Sequence, residues 1–285
     1  MNFVILDLEW NGCYCKKLDR FINEIIEFGA VKVDERMNII DKFSVIVRPQ
    51  IGKKLRSSVT TLTSLTSEEV SKGYPFTYAL SKFRKFSKDC IIMTWSISDI
   101  HALMQNSSYH LLTNRLPFLK QYVDLQDYCQ DMLGLSGSEK QLGLNTAAEM
   151  LKIDTSDIPH HRALWDSIVT FMCFKEVYSK SALISYIQKA DCDTFYERLL
   201  FHPTFICNLD NPIIDKEKMF FNCNKCGHRT TRRSEWEAKN KSFLADFICP
   251  SCQNSFKGKI QFKLKYDSVT TIKKVMASTE NISTE

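Results

Sequence analysis

Apolar positions recur along this chain at two periods, and the changes from one to the other outline its elements. Residues 3–8 (FVILDL) are an apolar run bounded by polar chain, too brief for a stable helix, which predicts a buried strand. Residues 25–33 (IIEFGAVKV) and 43–47 (FSVIV) are rich in β-branched and aromatic side chains and end at Asp34 and at Arg48-Pro49. Three consecutive strands therefore open the fold. Over 67–86 the period turns helical: Ala79, Leu80, Phe83 and Phe86 share a face, Thr66 or Ser67 supplies the N-cap, and Glu68 and Glu69 suit a first turn. A fourth strand at 91–95 runs into a helix that begins at Ser98 or Asp99. A fifth, around 122–125, precedes another helical stretch, and helices near 141–151 and 163–179 flank a break at Pro159.

Strands alternating with helices predict an α/β fold, a sheet with helices packed on its faces. Residues 181–203 read as helical, and 202–218, with Pro203 and Pro212, read as a linker. The expected division is a first domain over 1–180, a helical segment and linker over 181–215, a small β-rich module over 216–275 and a polar tail over 276–285.

Composition narrows the class. Hydrophobic residues at 44% and charged residues at 25% are the balance of an ordinary soluble globular protein. No apolar stretch approaches the roughly 18 residues of a membrane span, so neither secretion nor a membrane partner is expected. Of 11 cysteines, four form two Cys-x-x-Cys pairs and others, such as Cys90 and Cys173, lie in apolar runs, which suits a reducing, cytoplasmic setting. The formal charge of +5 is unevenly spread: residues 211–285 hold 14 Lys and Arg against 8 Asp and Glu, while residues 1–210 hold 24 against 25. The C-terminal module is the basic part, which favours a polyanionic partner.

Two acidic signals carry chemistry. Asp7 and Glu9, at i and i+2 of the first strand, project to one side near its expected end. Like charges at that range repel unless a cation neutralises both. The second signal is 161–166 (HRALWD), where His161 precedes Asp166 at the start of a helix that is otherwise apolar, a costly place for an unpaired carboxylate. His160 is the weaker histidine, one residue further from Asp166.

Together these residues resemble the DEDDh family of 3'-to-5' exonucleases, whose first motif is Asp-x-Glu and whose third is His-x-Ala-x-x-Asp. The likeness extends over roughly residues 2–180 and takes in 26–31 (IEFGAV), Arg48-Pro49 and 62–66 (LTSLT). It implies a ribonuclease H-like mixed sheet flanked by helices. It also assigns Asp99, in 94–100 (TWSISDI), to the second motif. Many members carry Asn four residues before that aspartate where this chain has Trp95, so Asp89, or an N-cap role for Asp99, stays open. Trp95 and 47–50 (VRPQ) look closer to the Eri-type exoribonucleases than to polymerase proofreading domains, a leaning towards RNA.

The chemistry the resemblance implies is hydrolysis with two Mg2+ or Mn2+ ions, for which oxygen-only ligands are suited. Asp7 would bridge both ions, Glu9 and Asp166 would hold the one on the nucleophile side, and Asp99 the other. His161 would be the general base. The expected reaction releases nucleoside 5'-monophosphates from the 3' end of single-stranded nucleic acid. Trp10 has two readings, a stacking surface for the terminal base or a core residue on the opposite strand face. The rival to catalysis is an exonuclease-like fold that only binds nucleic acid or scaffolds partners through its C-terminal module.

That module holds Cys223, Cys226, Cys249 and Cys252, two knuckles 22 residues apart, whose four thiolates can enclose one structural zinc. Arg229, Arg232 and Arg233 lie between the knuckles. Lys257, Lys259, Lys263 and Lys265 alternate with Ile260, Phe262 and Leu264, which places the lysines on one strand face. Those cations are candidate phosphate contacts or a solvated face, and such ribbons also mediate protein contacts.

Overall fold

The computed structural model describes residues 1–52, 54–136, 141–156 and 161–277. Pro159 and His160, and residues 278–285 of the expected tail, lie outside the described residues. The chain divides into two units, Met1–Tyr196 and Glu197–Glu285.

In the first unit the N-terminal apolar run continues well past its expected end: β1 spans Asn2–Cys15 and pairs antiparallel with β2 (Arg20–Val33), which pairs with β3 (Ile39–Ile46). Three helices follow, α1 (Ser57–Thr63), α2 (Ser67–Ser71) and α3 (Phe76–Phe86), then β4 (Cys90–Thr94), α4 (Ser98–Leu111), β5 (Gln121–Asp124) and α5 (Leu125–Met132). Next come α6 (Leu144–Met150), α7 (Ala163–Glu176), α8 (Lys180–Ile184), β6 (Gln188–Lys189) and α9 (Asp193–Leu200). The sheet order is β3-β2-β1-β4-β5-β6, with β4 and β5 parallel to β1 and the remaining pairs antiparallel. This is the mixed sheet of the ribonuclease H-like α/β class.

Alternation on the strands builds two cores. Phe3, Ile5, Val31, Val33 and Met93 face α5, α6 and α7, where Phe174 meets Phe3 edge-on at 6.0 Å. On the opposite face Phe28 packs against Phe83 and Phe76 of α3, with centroids 5.8 and 6.2 Å away.

Several elements differ from expectation. The helix expected over 67–86 is two helices: Thr66 and Glu69 form a reciprocal capping box at α2, but Pro75, lacking an N–H, interrupts the pattern and serves as the N-cap of α3. Helix α1 was not expected, since its polar sequence (SSVTTLT) has no apolar period. The helical reading of 181–203 gives way to α8, the short edge strand β6 and α9.

In the second unit the stretch read as linker contains a strand, β7 (Thr204–Ile206), whose partner lies far ahead in sequence and was invisible to local pattern. The others are β8 (Thr231–Arg232), β9 (Glu237–Lys239), β10 (Ser242–Ile248), β11 (Ser255–Leu264) and β12 (Val269–Ala277), in the order β12-β11-β10-β8, with β7 on β11 and β9 on β10. Phe221, Phe243, Phe247, Phe256, Ile260 and Phe262 form its core. Strand β12 reaches Ala277, so the pairing extends into the tail expected from 276.

One close approach fixes where α7 lies. A Cβ built on Gly29 of β2 would sit 2.0 Å from the backbone carbon of Ala163, the first residue of α7. No side chain fits there. Gly29→Ala is expected to lower stability by about 1–3 kcal/mol through overpacking, measured as a shift in the urea midpoint. A wild-type midpoint would show that α7 does not rest on β2 this closely.

Candidate active site

The fold brings three of the expected carboxylates together. Oxygens of Asp7 and Glu9 on β1 and of Asp166 on α7 lie within 4.8 Å of one another. The two β1 residues are not at a strand end as expected, since β1 runs six residues past Glu9 to Cys15. Pairing slips there instead: Glu9 faces Glu27, Trp10 faces Ile25, and Ile26 is an extra residue on β2. Such a bulge bends the strand and re-aims its side chains, a device common beside active sites.

Asp99 approaches from α4. It is 5% exposed, and its Oδ1 accepts the Leu8 amide at 3.0 Å, between Asp7 and Glu9 in sequence. It is not the N-cap of α4, a position held by Ile97. Asp89 precedes Cys90, the first residue of β4, whereas Asp99 follows that strand's last residue. Because β4 is parallel to β1, that puts Asp89 at the end of the strand opposite Asp7 and Glu9. Asp99 does not join the three-residue cluster at 4.8 Å, but its charge is the foremost of those acting on Asp7.

Helix α7 is held by a pair that sequence reasoning missed. Glu27 on β2, 1% exposed, receives the Arg162 guanidinium at 2.9, 3.1 and 3.3 Å and the Ala163 amide at 3.2 Å. A buried carboxylate is stable only when paired and hydrogen-bonded. The signal was present: Glu27 interrupts the apolar run 25–31, and Arg162 directly precedes α7. His161 comes just before Arg162 with φ 59°, the left-handed region that costs a non-glycine residue of order 1 kcal/mol or more. Backbone strain at that residue is maintained by the contacts around it.

Repulsion and burial dominate the electrostatics. Burial, then the charges of Asp99, Asp166, Glu9 and Glu27, hold Asp7 well above the ordinary carboxylate range. Burial and the charges of Asp166, Glu27 and Asp99 push Glu9 up to about 8, with Arg162 opposing. Burial pushes Asp99 to about 8 despite the Leu8 amide, and Asp124 adds to the rise. Asp124, another residue not foreseen, caps α5 through the Gln126 and Asp127 amides and is itself pushed to about 7, by burial and by Asp127. Clustered hard oxygen donors are a donor set for divalent cations.

Trp10 is half-buried and alternates to the face of β1 opposite Glu9, so it does not line the cluster. In the second unit Cys223 and Cys252 have sulfurs 3.6 Å apart, Cys226 and Cys249 3.4 Å, and all four lie within 4.8 Å of one another. These spacings exceed a disulfide bond. They approach the roughly 3.8 Å edge of a tetrahedron with metal–sulfur bonds of about 2.3 Å. Each knuckle closes on itself, through the Gly227 amide to Cys223 O and the Gln253 amide to Cys249 O, both at 2.9 Å. Burial raises the Cys223 thiol, but amides of Lys225 and Cys226 outweigh it and bring it to about 6.

Lys257, Lys259 and Lys263 share one face of β11, as the alternation predicts. Lys257 pairs with Asp246 at 3.8 Å, and Lys265 lies beyond the last residue of β11 in a turn closed by Ser268. Lys259 and Lys263 remain on the face opposite Ile260 and Phe262. Arg229 lies over the Phe220 ring at 4.5 Å, Arg232 is 3.4 Å from Glu235, and Arg233 is exposed.

A mixed sheet that carries a carboxylate cluster at the junction of β1, α4 and α7 is the arrangement of a hydrolytic nuclease. The exonuclease family profile, RNase_T, matches residues 4–174, and the chain belongs to that family. It is 28% identical over 204 residues to the probable 3'-5' exonuclease KapD of Bacillus subtilis (strain 168), covering 70% of this chain and 93% of the relative. The PolC-type DNA polymerase III of Thermotoga maritima is 26% identical over 182 residues, which is 63% of this chain and only 12% of the polymerase. Among solved structures, the nuclease domain of 3'hExo, a DEDDh family member bound to rAMP, aligns with a TM-score of 0.51 at 23% identity, over 60% of this chain and 88% of that one. That likeness is one of fold. The relatives support 3'-to-5' exonuclease activity. No helix among the described residues is long and apolar enough to cross a membrane.

The raised carboxylates make stability depend on pH. Glu9 and Asp99 hold protons up to about 8 when folded, while the unfolded chain releases them near 4, so the folded state binds more protons across that window. The favourable contribution is complete below about 4 and is lost as pH rises through about 8. Without added Mg2+ or Mn2+ the melting temperature is expected to fall over that range, with Glu9→Gln reducing the fall and added Mg2+ reversing it. A Glu9→Gln protein whose melting temperature falls as steeply as the wild type's would refute this account.

Proposed function

We propose that this chain removes nucleotides one at a time from the 3' end of single-stranded nucleic acid, RNA in preference to DNA, and releases nucleoside 5'-monophosphates. The observation that carries the reading is the cluster of Asp7, Glu9 and Asp166, whose oxygens lie within 4.8 Å of one another and whose β1 members are held above the ordinary carboxylate range. Such a cluster asks for cations. Two Mg2+ or Mn2+ ions fit the donor set, held by Asp7, Glu9, Asp99 and Asp166, and when bound they supply stabilisation of negative charge on the attacking and leaving oxygens.

The chain's own groups do the rest. Asp7, at the centre of the mutual repulsion, would hold the cations together with Glu9, Asp99 and Asp166. The Leu8 amide fixes Asp99, and the Glu27–Arg162 pair fixes the helix that bears Asp166. His161, one residue before Arg162, takes a proton from the attacking water. The preference for RNA rests on the Trp95 and 47–50 resemblance and on the fold shared with a nuclease domain bound to rAMP.

In the second unit we assign Cys223, Cys226, Cys249 and Cys252 to one structural zinc, with residues 216–275 as the ribbon. A closed four-thiolate site leaves no position for catalysis and substitutes for core that a short β unit lacks. Arg229, Arg232, Arg233, Lys259 and Lys263 are its candidate contacts with nucleic acid or with a protein partner. A reducing cytoplasm suits cysteines that form no disulfide among the described residues.

Asp7→Asn and Asp166→Asn are each expected to lower hydrolysis of a 5'-labelled oligonucleotide by about a thousandfold or more with the fold retained. His161→Asn should lower kcat far more than it raises KM. Undiminished hydrolysis by Asp7→Asn, or products shortened from the 5' end, would overturn the assignment. Elemental analysis should find about one zinc per chain, lost in Cys249→Ser. Reduced, intact protein with almost no zinc would remove the ribbon.

A further inference from the structure

The β1–β2 hairpin does not stop at the carboxylates. Pairing continues from Asn11↔Glu24 to Cys15↔Arg20, beyond the bulge at Glu9. Over this extension lies a segment that the hairpin itself holds in place. Asn11, 1% exposed, donates to Lys54 O at 3.1 Å and accepts the Arg56 amide at 3.0 Å. Glu24, 2% exposed, accepts the amides of Gln50, Ile51 and Gly52 at 2.5, 2.6 and 2.7 Å. These two buried polar side chains, next to the catalytic strand segment, are spent on positioning that segment.

What they create is a cavity of about 670 Å³ whose lining includes Lys16, Lys17, Lys54 and Arg56, together with Phe21 and Tyr109. No carboxylate lines it among the described residues. Glu24, the nearest acid in the hairpin's pairing, faces backbone amides instead. Each of the four cations is exposed, and none is within ion-pair distance of a carboxylate among the described residues. Phe21 is 70% exposed and packs edge-on against Tyr14 at 5.4 Å, and Lys17 lies over the Tyr109 ring at 4.8 Å. Four cations without a carboxylate partner, Lys17 among them donating to Tyr109 O at 2.9 Å, beside the exposed rings of Phe21 and Tyr14 are the chemistry of a single-strand track, phosphates on the cations and bases on the rings.

We infer that this cavity binds the polynucleotide upstream of the scissile 3' nucleotide, a reading that rests on the proposed function. A strand rises about 3.3 Å per residue, so along β1 Asn11 lies about 7 Å and Cys15, the residue before Lys16, about 20 Å from Glu9. A chain with its 3' end at the carboxylates, led along β1, meets the four cations over a length of several nucleotides. The lining offers stacking and charge, with no built pattern for reading base edges, so the track is tolerant of sequence.

The test measures binding of a labelled single-stranded RNA of about 12 nucleotides to the full chain without divalent cations, so that hydrolysis plays no part. The combined variant Lys16→Ala, Lys17→Ala, Lys54→Ala is expected to bind about tenfold or more weakly, with the slope of log affinity against log salt reduced by about 2. Phe21→Ala should weaken binding about tenfold while leaving that slope unchanged. A control with equal charge loss on and beside α3, Lys82→Ala, Lys85→Ala, Lys88→Ala, should bind as wild type. Wild-type affinity in the first variant, with an unchanged melting temperature, overturns the inference, as does an equal loss in the control. If the wild-type chain binds this RNA but fails to degrade it with Mg2+ or Mn2+, the proposed function falls and the binding result stands.

Discussion

The contact on which the site depends is the docking of the first turn of α7 against β2. Glu27 receives both the Arg162 guanidinium and the Ala163 amide, and Gly29, two residues on, leaves only room enough for backbone against backbone. Glu27 is also the cross-strand neighbour of Glu9. One ion pair therefore sets the distance between the strand that carries Asp7 and Glu9 and the helix that carries Asp166. A buried pair of this kind adds little net stability, since desolvation offsets its attraction. Its role is geometric, and removing one partner would leave an uncompensated charge beside three carboxylates.

The remainder follows from crowding like charges. A protein could relieve such crowding by spreading the acids apart, and this one does the opposite: a bulge in β2, an amide anchoring Asp99 and the Glu27–Arg162 pair all keep the groups close. Folding energy from the two flanking cores is used to hold an arrangement that repels itself. At neutral pH and above, cations can relieve this repulsion, so the same geometry that lowers stability in their absence prepares their binding.

Much of this was legible in the residues. Alternation and β-branched content located the central strands, and the short spacings of Asp7 to Glu9 and of His161 to Asp166 marked the carboxylates, because local periodicity dictates which side chains share a face. What stayed hidden depends on partners distant in sequence. Strand β7 is defined by pairing with β11, where Ile206 faces Phe262 from far earlier in the sequence. The length of β1 past Glu9 is set by β2, whose polar residues 20–24 (RFINE) do not read as a strand alone. Asp124 carried no signal in the sequence, and its closeness to Asp99 arises from parallel β4 and β5 ending side by side. Period two located the shared face of Lys257, Lys259 and Lys263, but not the acid on the neighbouring strand that pairs Lys257 or the turn that ends the ladder before Lys265.

The left-handed backbone at His161 sets durability against the chemistry proposed for that residue. Glycine is the residue that conformation prefers, and a chain selected only for resistance to heat would drift towards it there, gaining firmness while surrendering its imidazole. Ancestral or consensus redesign would have to exempt that position for the proton-accepting role proposed for His161 to survive.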